Sequence, residues 1–254
     1  MIDIEMQGSE EEIEIKSPRG IKLTGVINIP EKETNKLVII SHGLFANKDR
    51  YRLIKTSYRF LKAGFATLRY DFSSCGGSES IEYDMQGNVD ELRTIISYSR
   101  TRGYSKIALL GESFGGLVSL LAYDKNISTL VLWGPVTSSR IPSFLKDEKY
   151  KKELQEKGYV VYKTDEGDHK VPQKYVDDRN SIDRDVLLSK IECPVLIIHG
   201  SYDNQISYKL SEEAIDYLPE GSRFILIEKG KHSLDNRIDK TIKKTMIWLK
   251  ENFN

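Results

Sequence analysis

The chain predicts an α/β fold built on a mostly parallel, eight-stranded sheet with helices on both faces. Three observations carry this expectation. Short, continuously apolar runs recur along the chain, as strands buried on both faces require. Stretches with apolar residues at helical spacing separate them. The alternation breaks once, at the charged residues 136–190, which places a small insertion after the sixth strand.

Taken in order, residues 12–16 and 21–29 read as two strands, and Pro18-Arg19-Gly20 between them reads as the turn of an antiparallel hairpin. Residues 37–41 form an apolar strand that ends in His42-Gly43-Leu44-Phe45. Asn47 is placed to cap the next helix, whose face would carry Tyr51, Ile54, Tyr58 and Leu61. Gly64 stops that helix, and residues 65–70 are the following strand. Residues 71–78 form a loop. Residues 88–100 form an amphipathic helix with Val89, Leu92 and Ile96 on one stripe. Residues 107–110 are a buried strand, followed at once by an apolar helix, and residues 129–133 are the sixth strand.

Inside the insertion, residues 143–157 suit a helix, while 159–163 and 169–172 suit a hairpin. Strands resume at 195–198 and 224–227. The closing helix would place Leu234, Ile238, Ile242, Met246, Leu249 and Phe253 on one face. The expected organisation is one domain: core residues 1–135, a lid at 136–190, and core residues 191–254.

Composition narrows the possible partners. The 254 residues hold 38 Lys plus Arg and 38 Asp plus Glu, so the formal net charge is zero. That balance argues against nucleic acid or an acidic membrane as partner. Residues 1–20 are acidic and hold no apolar core, so no signal peptide is expected. No apolar run reaches bilayer length. The two cysteines, Cys75 and Cys193, form no metal-binding spacing, and no metal or cofactor is expected. A reduced, cytoplasmic setting follows from these features. A homodimer remains open.

The chemistry centres on Gly111-Glu112-Ser113-Phe114-Gly115. Strand, sharp turn and helix in that order describe a nucleophile elbow, with Ser113 lifted clear of the sheet over a helix N-terminus. A serine hydroxyl needs a base to take its proton and an acid to orient that base. His232 lies after the last strand and before the closing helix, where the base belongs. Asp203, in His199-Gly200-Ser201-Tyr202-Asp203, lies after a strand and between serine and histidine in sequence, where the acid belongs. His199 reads as structural, His42 as shaping its loop, and His169 as a solvated residue of the insertion. Two amides are expected to hold an oxyanion: that of Phe114, and that of Leu44, with Phe45 the next candidate.

With these motifs in place, the chain resembles the α/β-hydrolases over nearly its whole length. His42-Gly43-Leu44-Phe45-Ala46-Asn47 and the compact insertion resemble the small bacterial carboxylesterases that include cinnamoyl and feruloyl esterases. The resemblance implies ester hydrolysis through an acyl-enzyme, with the small lid shaping an acyl or phenolic pocket. One loop departs from the family pattern D-x-R-G-x-G-x-S. Ser73 stands where arginine is common and Ser74 where glycine is common, which puts that loop's geometry in question. Cys75 beside it reads as a small filler residue.

The expected substrate is a small ester of a short-chain or aromatic acid. Thioester, amide or peptide hydrolysis and perhydrolysis use the same three groups, and a non-catalytic binding member of the fold is a further alternative. The lid aromatics Phe144, Tyr150, Tyr159, Tyr162 and Tyr175 suit either stacking on an acyl group or forming the lid's own core. The charged lid as a protein-docking surface is a third, weaker alternative.

Overall fold

Backbone alternation decides which side of the sheet each apolar residue covers, and the two sides form two separate cores. The computed structural model describes residues 8–253. The first seven residues and the last, at the outer ends of stretches 1–135 and 191–254, lie outside the described residues. Strands β1 (Gly8–Lys16) and β2 (Lys22–Pro30) form the expected antiparallel hairpin, with Ile15 opposite Leu23. Then come β3 (Lys36–Ser41), helix α1 (Tyr51–Leu61), β4 (Ala66–Tyr70), α2 (Met85–Thr101), β5 (Lys106–Glu112), α3 (Phe114–Ala122) and β6 (Ile127–Trp133). The insertion contains α4 (Glu148–Lys157), β7 (Tyr159–Thr164), β8 (Gly167–Pro172), α5 (Gln173–Asn180) and α6 (Arg184–Leu188). The chain closes through β9 (Val195–Gly200), α7 (Tyr208–Ala214), β10 (Arg223–Ile227) and α8 (Ile238–Asn252).

The main sheet has eight strands in the order β1-β2-β4-β3-β5-β6-β9-β10, and β7 pairs only with β8. From β4 to β10 the pairings are parallel, while β2 runs antiparallel to both β1 and β4. The chain leaves β3 toward β4 on one side and returns to β5 on the other. That reversal opens a crevice beyond the carboxyl ends of β3 and β5, where such sheets place their ligands.

Along β5, Ile107 and Leu109 face one core while Ala108 and Leu110 face the other. Leu37 and Ile39 of β3 alternate with Val38 and Ile40 in the same way. One core is covered by α2 and α3 and receives the insertion. The other is covered by α1 and α8. Two reciprocal bonds tie α8 to the sheet: Trp248 Nε1 donates to Thr129 Oγ1 at 2.9 Å, and Trp133 Nε1 donates to Thr245 Oγ1 at 3.1 Å, all four side chains being buried.

Several local expectations are corrected. Asn47 does not cap α1: its Oδ1 accepts from the Asp49 amide at 2.9 Å, and its side-chain amide turns to Glu166. The helix begins after Arg50 without a side-chain cap, and its buried stripe is Leu53, Thr56, Ser57, Phe60 and Leu61. Tyr51 is exposed. The true stripe includes a threonine and a serine, so apolar spacing alone chose the wrong face. Thr56 Oγ1 returns to its own helix at Arg52 O, 2.7 Å, and Ser57 bonds Asn28 Oδ1 at 2.7 Å. Residues 143–157 split at Asp147, which caps α4 through the Lys149 amide. The short helices α5, α6 and α7 were not anticipated.

The atypical loop 71–78 is held by Asp71, whose buried carboxylate accepts from the Lys48 and Gly77 amides at 2.7 and 3.0 Å, from Thr24 Oγ1 at 3.0 Å and from Lys48 Nζ at 2.9 Å. Ser74 adopts the left-handed conformation, φ 63°, that glycine would take without strain. Arg19, from the β1–β2 turn, donates to Ser73 Oγ at 3.1 Å and pairs with the buried Glu91. A guanidinium from outside the loop thus holds Ser73.

The Trp248 anchor makes a quantitative test. Trp248→Ala removes a large buried ring and leaves the Thr129 hydroxyl without its donor, so it should cost about 3–5 kcal/mol. Urea unfolding should show a lower midpoint; an unchanged midpoint would rule out the anchoring role.

Candidate active site

Ser113 occupies a backbone conformation that few side chains tolerate, φ 51° and ψ −111°. Strain of this kind costs on the order of 1–3 kcal/mol and persists only where the surroundings enforce it. Here they do. The Ser113 amide donates to Trp133 O at 2.9 Å, and its carbonyl accepts from Gly116 and Val136 at 3.1 and 3.2 Å. The flanking glycines permit the turn by close approach. A Cβ on Gly115 would lie 2.4 Å from Ser41 O, and one on Gly111 would lie 2.4 Å from Gly115 O. Helix α3 therefore presses its first turn against the ends of β3 and β5, and the serine is carried on the apex.

The structure brings Ser113, His232 and Asp203 together. Ser113 Oγ lies 3.0 Å from His232 Nε2, and His232 Nδ1 lies 2.6 Å from Asp203 Oδ2. With Nδ1–H donating to the carboxylate, Nε2 is left as the acceptor facing the serine hydroxyl. The Asp203 side chain is fully buried, whereas that of His232 is 13% exposed. The loops that bring acid and base together meet at another tight contact, where a Cβ on Gly200 would fall 2.2 Å from Gly230 O.

Burial alone would push the Asp203 carboxyl upward. Donors from His199 and His232, together with the Ile206 amide, outweigh it and hold the group below the usual carboxylate range. Oδ1 accepts the Gln205 and Ile206 amides, each at 2.8 Å, and Oδ2 takes both histidines. His199 Nε2 faces two acceptors, Asp203 Oδ2 at 2.9 Å and Ile206 O at 3.1 Å, so Nε2 carries the hydrogen. Ser211 Oγ completes the ring at Nδ1, 2.8 Å away. His199 thus has a structural place, supporting the Asp203 carboxylate from behind.

Among the described residues, the Leu44 and Phe114 amides donate to no other protein group, and both residues line the cavity over Ser113 and His232. Phe45, the other candidate after β3, lines the same cavity. His42 shapes this loop: Nδ1 donates to Gly43 O at 2.7 Å, and Nε2 accepts the Phe72 amide at 3.1 Å.

His169 is not solvated. Residues on β8 alternate between faces, so His169 and Val171 both turn inward. His169 is buried, stacks on Phe45 at 4.4 Å and 24°, and meets Thr164 Oγ1 at 2.9 Å. Phe144 stacks on Tyr162 at 4.0 Å, and Tyr162 on Phe45 at 5.3 Å. Phe144, Tyr150 and Tyr162 are thus each other's neighbours, Tyr175 packs on Tyr83 and Phe114, and Phe144 and Tyr162 also border the cavity. Cys75 is a filler: it is buried against the Tyr83 hydroxyl at 3.0 Å, and burial pushes its thiol up to about 12.

The cavity holds about 400 Å³. Sequence reading missed its charged lining. Arg52 grips Glu112, the residue before Ser113, through two bonds of 2.8 and 2.5 Å. Arg50 pairs with Glu166 at 2.8 Å. Arg140 and Arg179 also line the cavity. No local pattern marks these arginines, which come from separate segments. The x position of G-x-S-x-G was the only available signal, since a buried glutamate there demands a cation.

Protonating His42 would set a donor against the Phe72 N–H. Burial lowers its pKa from the ordinary value, partly offset by Asp71. The unfolded chain therefore takes up a proton, at about pH 6.5, that the folded chain refuses. Stability should be full above that pH and fall as the pH drops toward the folded value. The urea midpoint should decrease between about pH 7.5 and 5.5, and His42→Gln should flatten that slope. Equal slopes in both proteins would assign the acid sensitivity elsewhere.

Residues 32–188 match the family model described as serine aminopeptidase, S33. Serine hydrolase BPHL of Homo sapiens is 27% identical over 196 residues, or 68% of this chain, and the match spans 65% of the human protein's length. Est1E from Butyrivibrio proteoclasticus, solved with ferulic acid bound, superimposes with a TM-score of 0.79 at 20% identity, covering 95% of this chain and 99% of that one. The alpha/beta hydrolase GrgF from Penicillium sp. sh18 superimposes with a TM-score of 0.78 at 16% identity, covering 96% and 99%. At these identities the two solved structures speak for the fold alone.

Proposed function

The chain belongs to the serine aminopeptidase (S33) family and has the α/β-hydrolase fold, and on that premise we propose that it is a carboxylesterase-type serine hydrolase acting on small esters of short-chain or aromatic acids. The observation that carries the proposal is the continuous line Ser113 Oγ, His232 Nε2 and Nδ1, Asp203 Oδ2, with gaps of 3.0 and 2.6 Å. Ser113 attacks the ester carbonyl as His232 takes its proton. Asp203 holds the imidazole in the tautomer that accepts and stabilises the imidazolium that forms. The Leu44 and Phe114 amides receive the oxyanion, each donor being worth about 3 kcal/mol in the transition state. His232 then protonates the leaving alcohol and activates water against the acyl-enzyme.

Aromatic acids are included because Phe144 and Tyr162 present ring surface at the cavity, and because the solved relative Est1E was crystallised with ferulic acid. The family description raises aminopeptidase action as a second reading. A free α-ammonium needs a carboxylate partner. Among the described lining residues, Glu112 is already gripped by Arg52 and Asp165 is exposed at the rim. That favours ester over peptide substrates. Residues 136–190 serve as the lid in this proposal, between core stretches 1–135 and 191–254. A cytoplasmic setting fits the two buried, unpaired cysteines, and no helix among the described residues is long and apolar enough to cross a membrane.

A fluorophosphonate probe should label Ser113, and Ser113→Ala should abolish labelling and lower kcat/KM on short esters by about ten-thousandfold or more with the fold intact. Ester hydrolysis retained by that variant would refute the assignment. Asp203→Asn should lower kcat by about a thousandfold or more, because the carboxylate sets the histidine tautomer. Aminoacyl amides turned over faster than matched esters would favour the peptidase reading.

A further inference from the structure

We infer that the cavity over Ser113 binds a carboxylate, so that the preferred ester carries a free carboxylate on its acyl or alcohol part, with Arg179 as the residue that selects it. The inference rests on the proposed function and names the substrate class of that same site.

Four arginines line the cavity, and they divide into two kinds. Arg50 and Arg52 each meet a carboxylate, Glu166 and Glu112 respectively. Arg140 and Arg179 have none within ion-pair distance among the described residues. Asp165, the other acid of the lining, is exposed at the turn between β7 and β8 and pairs with neither.

Arg179 is the unusual one, because it is only 2% exposed. Its bonds run to neutral groups: Nη2 to Arg140 O at 2.5 Å and Nη1 to the Tyr175 hydroxyl at 3.3 Å. Its guanidinium carbon lies 5.6 Å from the Phe114 ring centroid and 5.9 Å from that of Tyr175. Its Nε is buried and has no hydrogen-bond partner.

A guanidinium stays charged, and burying a charge without a counter-ion is costly. The surrounding rings and carbonyl offset part of that cost but supply no negative charge. Arg140 adds a second cation to the same lining, half-buried and held by the Gln205 carbonyl. Two forked donors lining one cavity, one of them beside Phe114, suit a planar carboxylate in charge and in donor type.

The test compares matched ester pairs: para-nitrophenyl hemiglutarate against para-nitrophenyl pentanoate for the acyl side, and the acetate ester of para-hydroxybenzoic acid against phenyl acetate for the alcohol side. In one pair the carboxylate member should be favoured by about tenfold or more in kcat/KM. Arg179→Gln should shrink that preference by about tenfold, chiefly through KM, and Arg179→Lys should restore part of it. A merely structural role would lower both members of a pair alike and leave their ratio unchanged, which would overturn the inference. Arg140→Gln supplies the ratio if Arg179→Gln does not fold.

Glutarate and benzoate, titrated calorimetrically into Ser113→Ala, read the site without turnover. Saturable binding by either, weakened in the doubly substituted Ser113→Ala, Arg179→Gln chain, supports the inference. No binding by either, together with no preference in either pair, overturns it. Loss of fluorophosphonate labelling at Ser113 overturns the hydrolase proposal instead, and leaves the calorimetric result to judge the carboxylate site.

Discussion

The site depends on how closely one helix can approach the end of one sheet. Gly115 brings α3 against the carbonyls of Ser41 and His42, at a distance that leaves no room for a methyl group. That contact bends the chain at Ser113 and enforces its strained backbone. The same approach leaves the Phe114 amide at the start of a helix without an internal partner, beside the loop that carries the Leu44 amide. The raised serine and the free Phe114 amide are thus consequences of one packing event.

Asp203 sets the second constraint. A buried carboxylate survives only if its acceptor sites are filled, and four donors fill them. Only one donor, His232, also reaches the serine. The other three fix the carboxylate from behind and below, so the imidazole meets a rigid partner. His199 therefore matters to the proposed chemistry although it lies away from the reacting atoms.

The insertion after β6 completes the cavity and charges it. Phe144, Tyr162 and His169 pack on Phe45, which anchors the insertion to the loop after β3. Arg179 enters from the same insertion and lies over Phe114. One peripheral unit therefore contributes both apolar wall and positive charge to the cavity. In the functions proposed above, the core supplies the reaction and the insertion chooses the substrate.

The strands of the main sheet, the elbow and the chain order of Ser113, Asp203 and His232 were legible in the sequence because they rest on local rules. Continuous apolar runs mark buried strands, and glycine marks tight contacts. The buried face of α1, the inward turn of His169 and the pairing of the arginines were not legible. Those features depend on which distant segment arrives opposite, as Asn28 does for Ser57 and Phe45 for His169. A charged residue reads as solvated until something covers it, and nothing near Arg179 in sequence announces Phe114 and the Arg140 carbonyl. The sequence by itself determined the architecture and the kinds of groups available for chemistry, through periodicity and backbone sterics. Only the tertiary structure decided which charges were paired, which were left facing the cavity and how far apart the reacting atoms stand, because burial and pairing are properties of neighbours remote along the chain.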